Sequence, residues 1–192
     1  MGKPAKRPAT YDDVLRAPAH QVAEIIEGEL VLSPRPAAPH AVAASMLMSE
    51  LGGPFARGRA GPGGWILLVE PELHLGGHIL VPDLAGWRRE TMSVVANQPF
   101  FTIRPDWVCE VLSPSTERLD RSAKLALYAA AGVGHAWLVN PLQHTLEVLQ
   151  LSAETPTRWL SLAVFRDDAQ VQGAPFEVFA LDLTALWQDV QL

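Results

Sequence analysis

Glu110 stands inside an otherwise apolar run, Trp107-Val108-Cys109-Glu110-Val111-Leu112, and that placement constrains the fold more than any other feature of the chain. A short run rich in apolar and β-branched residues, bounded by turn signals, reads as a buried strand. A carboxylate inside it is costly to bury unless something pairs with it. The segment that follows carries the candidate partner. Turn chemistry at Ser113-Pro114-Ser115-Thr116 hands over to a helix with Thr116 or a neighbour as N-cap. Asp120, Lys124, Tyr128 and Ala131 share one side of that helix, and Gly132 and Gly134 close it.

The chain has fifteen Lys and Arg residues, and the only lysines are Lys3, Lys6 and Lys124. The first two belong to a polar tail, so Lys124 is the single internal lysine in a body that otherwise uses Arg. A compact ammonium on a flexible stem can orient a water or stabilise charge at one point, which a guanidinium fork cannot. Two readings stand side by side on spacing alone. One is an i,i+4 pair with Asp120 on a solvated helix face, contributing about 0.3–0.5 kcal/mol. The other is a site residue.

Two strand-like runs, Trp65–Leu75 and His78–Gly86, meet at Gly76-Gly77, a two-residue hairpin signal. That loop pairs Leu75 with His78 and sets Glu70 opposite Asp83. Opposed residues share a face, with Cβ atoms about 5 Å apart, and like charges there are destabilising unless a cation or proton lies between them. The register therefore points to a cation near Asp83. Pro71 implies an edge or a bulge, which would shift the register by one.

The remaining elements follow in order. Thr10 starts a short helix over Tyr11–Arg16, which Ala17-Pro18 stops. Val22–Ile26 and Leu30–Leu32 flank Glu27-Gly28-Glu29 as a β-hairpin. Ser33-Pro34-Arg35-Pro36 is a stiff connector, and His40–Leu51 reads as a helix closed by Gly52-Gly53, with His40 a capping or hydrogen-bonded surface residue. Residues 88–104 form a long excursion of the kind that lies against substrate or a partner subunit. His135–Val139, Thr145–Leu151 and Trp159–Phe165 are further strands, and Leu181–Leu192 a final short helix opened by Asp182 or Thr184.

Val81-Pro82-Asp83, Glu110 in CEVLSPST, and Asp120…Lys124…Tyr128 followed by Trp137-Leu138-Val139-Asn140-Pro141 together resemble the Uma family of "putative restriction endonucleases", itself similar to the PD-(D/E)XK nuclease superfamily. The resemblance runs from about Tyr11 to the C-terminus. It implies an α/β fold (an α+β mixed sheet) with a restriction-endonuclease-like αβββαβ core and an N-terminal β-hairpin extension. In the superfamily the lysine sits two residues after the second acid, where this chain has Leu112. The family's variant moves it onto the following helix, which makes it Lys124. The implied catalytic set is Asp83, Glu110 and Lys124. Asp83 and Glu110, joined by Glu70, would hold Mg²⁺ or Mn²⁺ through oxygen ligands. Glu24, His40, Asp120 and Arg121 are accessory candidates: Glu24 as a further acid, His40 because the family often has a His there, and Arg121, like Arg118, as a phosphate contact. Cys109, by alternation, faces away from Glu110 as a core residue.

Composition bounds the rest. At 192 residues, 48% apolar and 19% charged, the chain is expected to form a tail over 1–10 and a single domain over 11–192. A single Cys, no signal-like N-terminus and no apolar run near the ~20 residues of a membrane helix lead to the expectation of a cytoplasmic protein with no membrane contact. The function expected from these residues is Mg²⁺-dependent hydrolysis of DNA phosphodiesters, by a homodimer where both strands are cut. The net charge of −6 works against a protein that coats nucleic acid, and favours the alternative: a catalytically silent nuclease-fold module with a binding or regulatory role.

Overall fold

The computed structural model describes residues 7–190. Residues 1–6, most of the expected tail, lie outside them. Within residues 7–10, the Ala9 N–H donates to the Gly28 carbonyl (2.7 Å) and Arg7 pairs with Asp13 (2.7 Å). Helix α1 (Tyr11–Leu15) starts at Thr10 as expected, its N–H donating to Asp13 Oδ2 at 2.8 Å.

A six-stranded mixed sheet forms the centre. It contains β3 (Trp65–Val69), β6 (Leu84–Arg88), β7 (Trp107–Val111), β8 (His135–Asn140), β9 (Thr145–Leu151) and β10 (Trp159–Arg166), in the order β10-β9-β8-β7-β6-β3. Only β7 and β8 run parallel, because the chain between them crosses over as a helix. Alternation then sorts the side chains. Trp107, Cys109 and Val111 join Trp137 and Val139 in a core under helix α2 (Ala38–Leu51). Val108 and Leu112 join Tyr128, Ala136 and Leu138 in a second core on the other face. Phe176 fills the first core between Trp107 and Trp137, with edge-on ring centroids 5.0 and 5.5 Å away. Burying one such side chain contributes about 1.5–3 kcal/mol.

The hairpin around Gly76-Gly77 keeps the expected register but not its continuity. Leu75 pairs with His78, and beyond the break Val69 still pairs with Leu84. The Glu70 N–H donates to the Asp83 carbonyl (2.9 Å) as the last rung. Pro71 does not slip the register. It falls opposite Pro82, and two facing prolines, neither with an N–H, end the ladder there. The tips, β4 (Leu73–Leu75) and β5 (His78–Leu80), swing into a second antiparallel sheet with β1 (Gln21–Ile26) and β2 (Glu29–Pro34), ordered β2-β1-β5-β4. The N-terminal hairpin is thus not a detached extension: Ile25 pairs with Ile79, which carries Glu24 toward the central sheet.

Three helical expectations are corrected. Gly52-Gly53 do not close α2. The chain winds on through a wider π turn, Gly52–Ala56, because Pro54 and Phe55 bury there. The helix after β7 is likewise not uniform: α3 (Glu117–Leu119) passes through a π turn, Asp120–Lys124, into α4 (Leu125–Ala130). Gly132 then closes it at φ 77°, with the Val133 N–H donating to the Tyr128 carbonyl (3.0 Å). At the C-terminus, Leu181-Asp182 (β12) pairs with Gln170-Val171 (β11), so only a 3₁₀ turn, Leu183–Leu186, remains of the expected helix. Its last two residues lie outside the described ones. The long excursion after Arg88 packs its second half on β4, where Phe101 exchanges backbone hydrogen bonds with Glu72 and His74 (both 2.8 Å).

Candidate active site

Four elements bring charged side chains to one end of the central sheet. Asp83 precedes β6 and Glu110 lies in β7. Because Leu84 pairs with Cys109, continuing that register sets Asp83 opposite Glu110. Glu24 arrives on β1 and Lys124 on the π turn, which widens the helix where Asp120 and Lys124 turn inward. The Lys124 ammonium lies 2.9 Å from Glu110 Oε1, 3.2 Å from Glu24 Oε1 and 3.6 Å from Asp120 Oδ1. Glu24, Glu110, Asp120 and Lys124 are each only 3% exposed, so Lys124 is no solvated helix-face residue. The same Glu24 oxygen accepts from the Val81 N–H (2.8 Å), and the Tyr128 hydroxyl donates to Glu110 Oε1 (2.6 Å).

Three carboxylates thus face one ammonium out of water, and the surplus negative charge sets the electrostatics. Burial pushes the Glu110 carboxyl well above its ordinary range; Lys124 opposes this, and Asp120, Asp83 and Glu24 reinforce it. Asp120 is raised by burial in the same way, against the pull of Lys124. Burial works against the Lys124 charge, yet Glu110 foremost, with Tyr128, Glu24 and Asp120, pushes it well above the usual lysine value. The cluster holds its protons tightly, because any bound positive charge relieves the surplus. Cys109, buried on the other face, has its thiol pushed far up by desolvation and is chemically inert.

Asp83 occupies the mouth of the cluster. Its Oδ1 meets His40 Nε2 at 2.7 Å and its Oδ2 accepts from the Val111 N–H at 2.7 Å. His40 is therefore not a surface residue. It is 8% exposed, and its Nδ1 is buried without a partner among the described residues. Glu70 sits on the rim at a positive φ of 45° and pairs loosely with Arg35 (3.5 Å). A cleft of about 400 Å³ opens over these residues and over Ser113, Ser115 and Thr116. Arg121 points elsewhere: it bonds Glu117 (2.9 Å) and Glu147, tying the helix to β9.

Among the described residues no three His, Cys, Asp or Glu side chains already converge as metal ligands. The donor set nonetheless suits a hard cation in kind: Asp83 and Glu110 are oxygen donors on neighbouring strands, in a site with surplus negative charge. The hairpin register and the lone internal lysine pointed to Asp83 and Lys124, and the family resemblance added Glu110, Glu24, Asp120 and His40; all six gather here. These signals missed Tyr128 as the residue holding Glu110, although it stands four residues after Lys124. They also missed Arg35, which no pattern marks.

Residues 9–184 match the model of a family, Uma2, described as "Putative restriction endonuclease". The fold is also that of a crystal structure described as "a putative nuclease" from Anabaena variabilis. The two chains are 24% identical and superpose with a TM-score of 0.75, over 94% of this chain and 98% of the other. No curated protein matches the chain.

Proposed function

From the premise that the chain belongs to the Uma2 family, we propose that it hydrolyses DNA phosphodiester bonds with a divalent cation, Mg²⁺ or Mn²⁺, at Asp83 and Glu110. The observation that carries the proposal is the Lys124 ammonium 2.9 Å from Glu110, delivered from the following helix rather than from the strand. The succession α2, β3, β6, β7, α3–α4 and β8 supports reading this part as a restriction-endonuclease-like αβββαβ core.

A cation bound there would supply an acidified water and charge neutralisation at the phosphate. The protein's own groups do the positioning. His40 and the Val111 N–H fix the Asp83 carboxylate, and Tyr128 fixes Glu110. Lys124 balances the cluster and, at its edge, orients the attacking water or neutralises the developing phosphorane. Glu70 on the rim is the third acid of the proposed metal set, and Glu24 the accessory one. Cutting both strands would engage two chains about a two-fold axis.

Purified wild type, Lys124→Arg and Lys124→Ala incubated with plasmid and Mg²⁺ or Mn²⁺ test this. The expected result is cleavage by wild type alone, since a guanidinium is shaped for a bidentate partner. Equal cleavage by all three would remove Lys124 from the chemistry. No cleavage by any, with no heat of Mg²⁺ binding in calorimetry, would leave the silent module as the reading.

A further inference from the structure

The cleft poses a problem for an anionic substrate. Glu24, Glu70, Asp83, Glu110 and Asp120 line it, against Lys124, His40 and Arg35. Lys124 is buried and committed to carboxylates, so Arg35 is the one exposed full cation on that wall. DNA held only there would meet mostly repulsion. Binding must draw on positive charge elsewhere.

That charge lies at the far end of the strands that bear the cleft. Arg57 and Arg59 follow the π turn after α2, Arg88 ends β6 and Arg89 follows it. All four are exposed, and none of their guanidiniums pairs with a carboxylate among the described residues, although the Arg88 N–H donates to Asp106 Oδ2 (2.7 Å). Backbone hydrogen bonds fix each pair in place. Arg57 and Arg59 donate back to Gly52 (3.1 Å) and Gly53 (2.9 Å), the Arg89 N–H donates to the Gly64 carbonyl (2.9 Å), and Arg88 pairs with Trp65 across β3–β6. The Arg88 guanidinium lies over the Trp65 ring, 4.6 Å from its centroid. Glu90 is the nearby acid in sequence. Between this cluster and the cleft runs β3, the terminal strand of the central sheet, with no hydrogen-bonded strand on its outer side among the described residues. A shallow, mostly apolar groove runs beside β3 from Arg89 and Ser93 past the buried Trp65, Ile66 and Leu67, lipped by the exposed Val94 and Val95, so its polar contacts to a phosphate backbone come from its arginine end. Beyond Val69 the strand delivers Glu70 to the cleft rim, beside Arg35.

We propose that the open edge of β3 is a track for the DNA backbone, with Arg57, Arg59, Arg88 and Arg89 holding phosphates at one end and Arg35 receiving the strand at the cleft. The inference rests on the nuclease reading of that cleft. Five residues of β3 span about 17 Å at ~3.3 Å each. That is about half a helical turn of B-DNA, over which each strand winds away from a straight edge, so the edge can face about two or three phosphates. A chain of net charge −6 has few places where a phosphate run is electrostatically tolerable, and the arginine end of this edge is one of them.

Fluorescence anisotropy of a labelled 20-base-pair duplex, in EDTA and over a salt series, tests the track without requiring turnover. Arg59→Ala/Arg89→Ala removes two exposed guanidiniums from the cluster. Arg158→Ala/Arg166→Ala removes two from the region of β10, at the opposite edge of the sheet. The expected result is about tenfold weaker binding for the first variant, with the slope of log K against log salt shallower by about 1.8, or about 0.9 per lost phosphate contact. The second variant should bind like wild type. Unchanged slope in the first variant, an equal loss in both, or no binding by wild type at low salt would each overturn the track. A selective loss combined with failure to cut plasmid under any cation would uphold the track while removing the nuclease reading.

Discussion

Lys124 Nζ and Glu110 Oε1 lie 2.9 Å apart in a space where both residues are only 3% exposed. The contact joins the π turn of the helix after β7 to β7, one of the two central strands of the six-stranded sheet. Losing Lys124 therefore does more than remove a catalytic candidate. It leaves Glu24, Glu110 and Asp120 buried without their shared cation. Breaking a buried pair by deleting one partner costs about 3–5 kcal/mol. Lys124→Ala is expected to lose about that much in urea unfolding at neutral pH. A loss below about 1 kcal/mol, the value typical of an exposed pair, would show that the cluster is effectively solvated.

Tyr128 makes a smaller and separable contribution. Its hydroxyl is buried and donates to Glu110 Oε1 at 2.6 Å. Tyr128→Phe keeps the ring in the core and removes only the donor. A hydrogen bond to a charged group is worth about 1.5–3 kcal/mol, so unfolding measurements should register a loss in that range. If the proposed function holds, kcat for plasmid cleavage should also fall, because Glu110 is then free to turn toward Lys124 alone. An unchanged unfolding midpoint would place a water, not the tyrosine, as the partner of Glu110.

The register around Gly76-Gly77 was legible because a two-residue loop fixes every pair beyond it, down to Glu70 against Asp83. The split of that hairpin into two sheets was harder to read. It depends on Pro71 meeting Pro82, which becomes visible only once the register is written out. Glu24 and His40 could be named but not placed. One depends on Ile25 pairing with Ile79 and the other on α2 crossing the sheet end, and neither long-range contact leaves a local pattern. The π turn at Asp120–Lys124 left no signal either. Uniform α spacing already puts the two residues on one side, so their position was right for an incomplete reason.

Gly61 is fixed by packing rather than by its dihedral angles. A Cβ added there would lie 2.7 Å from Pro54 Cα and 2.8 Å from the Pro54 carbonyl oxygen, and backbone cannot step aside as a side-chain tip can. Gly61→Ala must push the Arg57–Gly64 loop off the end of α2, at a cost of about 1–3 kcal/mol. Gly52→Ala is the control, since Gly52 has helical dihedrals and nothing within 4 Å of an added Cβ. Differential scanning calorimetry should show Gly61→Ala melting below wild type and Gly52→Ala at or above it. Equal melting temperatures for all three would mean that the loop does not rest on Pro54.

The carboxylate surplus also predicts how stability changes with pH. Glu110 and Asp120 titrate higher in the fold than in an unfolded chain, where their ordinary values are 4.5 and 3.8. Over the interval above those values the folded state binds more protons than the unfolded state. Their contribution to stability is therefore complete at acid pH and declines as pH rises through the folded values. Lys124 is raised as well, so it stays charged throughout this interval and adds no slope of its own. His135 acts in the opposite direction: burial lowers it, so its contribution grows as pH rises toward the usual histidine value and is complete above it. Comparing wild type with Glu110→Gln cancels His135 and every other unchanged group. Glutamine keeps an oxygen for the Tyr128 hydroxyl and cannot titrate. Between about pH 5 and about pH 8 the stability of wild type should fall relative to Glu110→Gln, so the variant gains on wild type as protons leave. Urea unfolding midpoints at several pH values in EDTA measure the difference directly. A difference that is flat, or that moves in favour of wild type at high pH, would mean that Glu110 is ionised at little cost in the fold and that Lys124 alone balances the cluster.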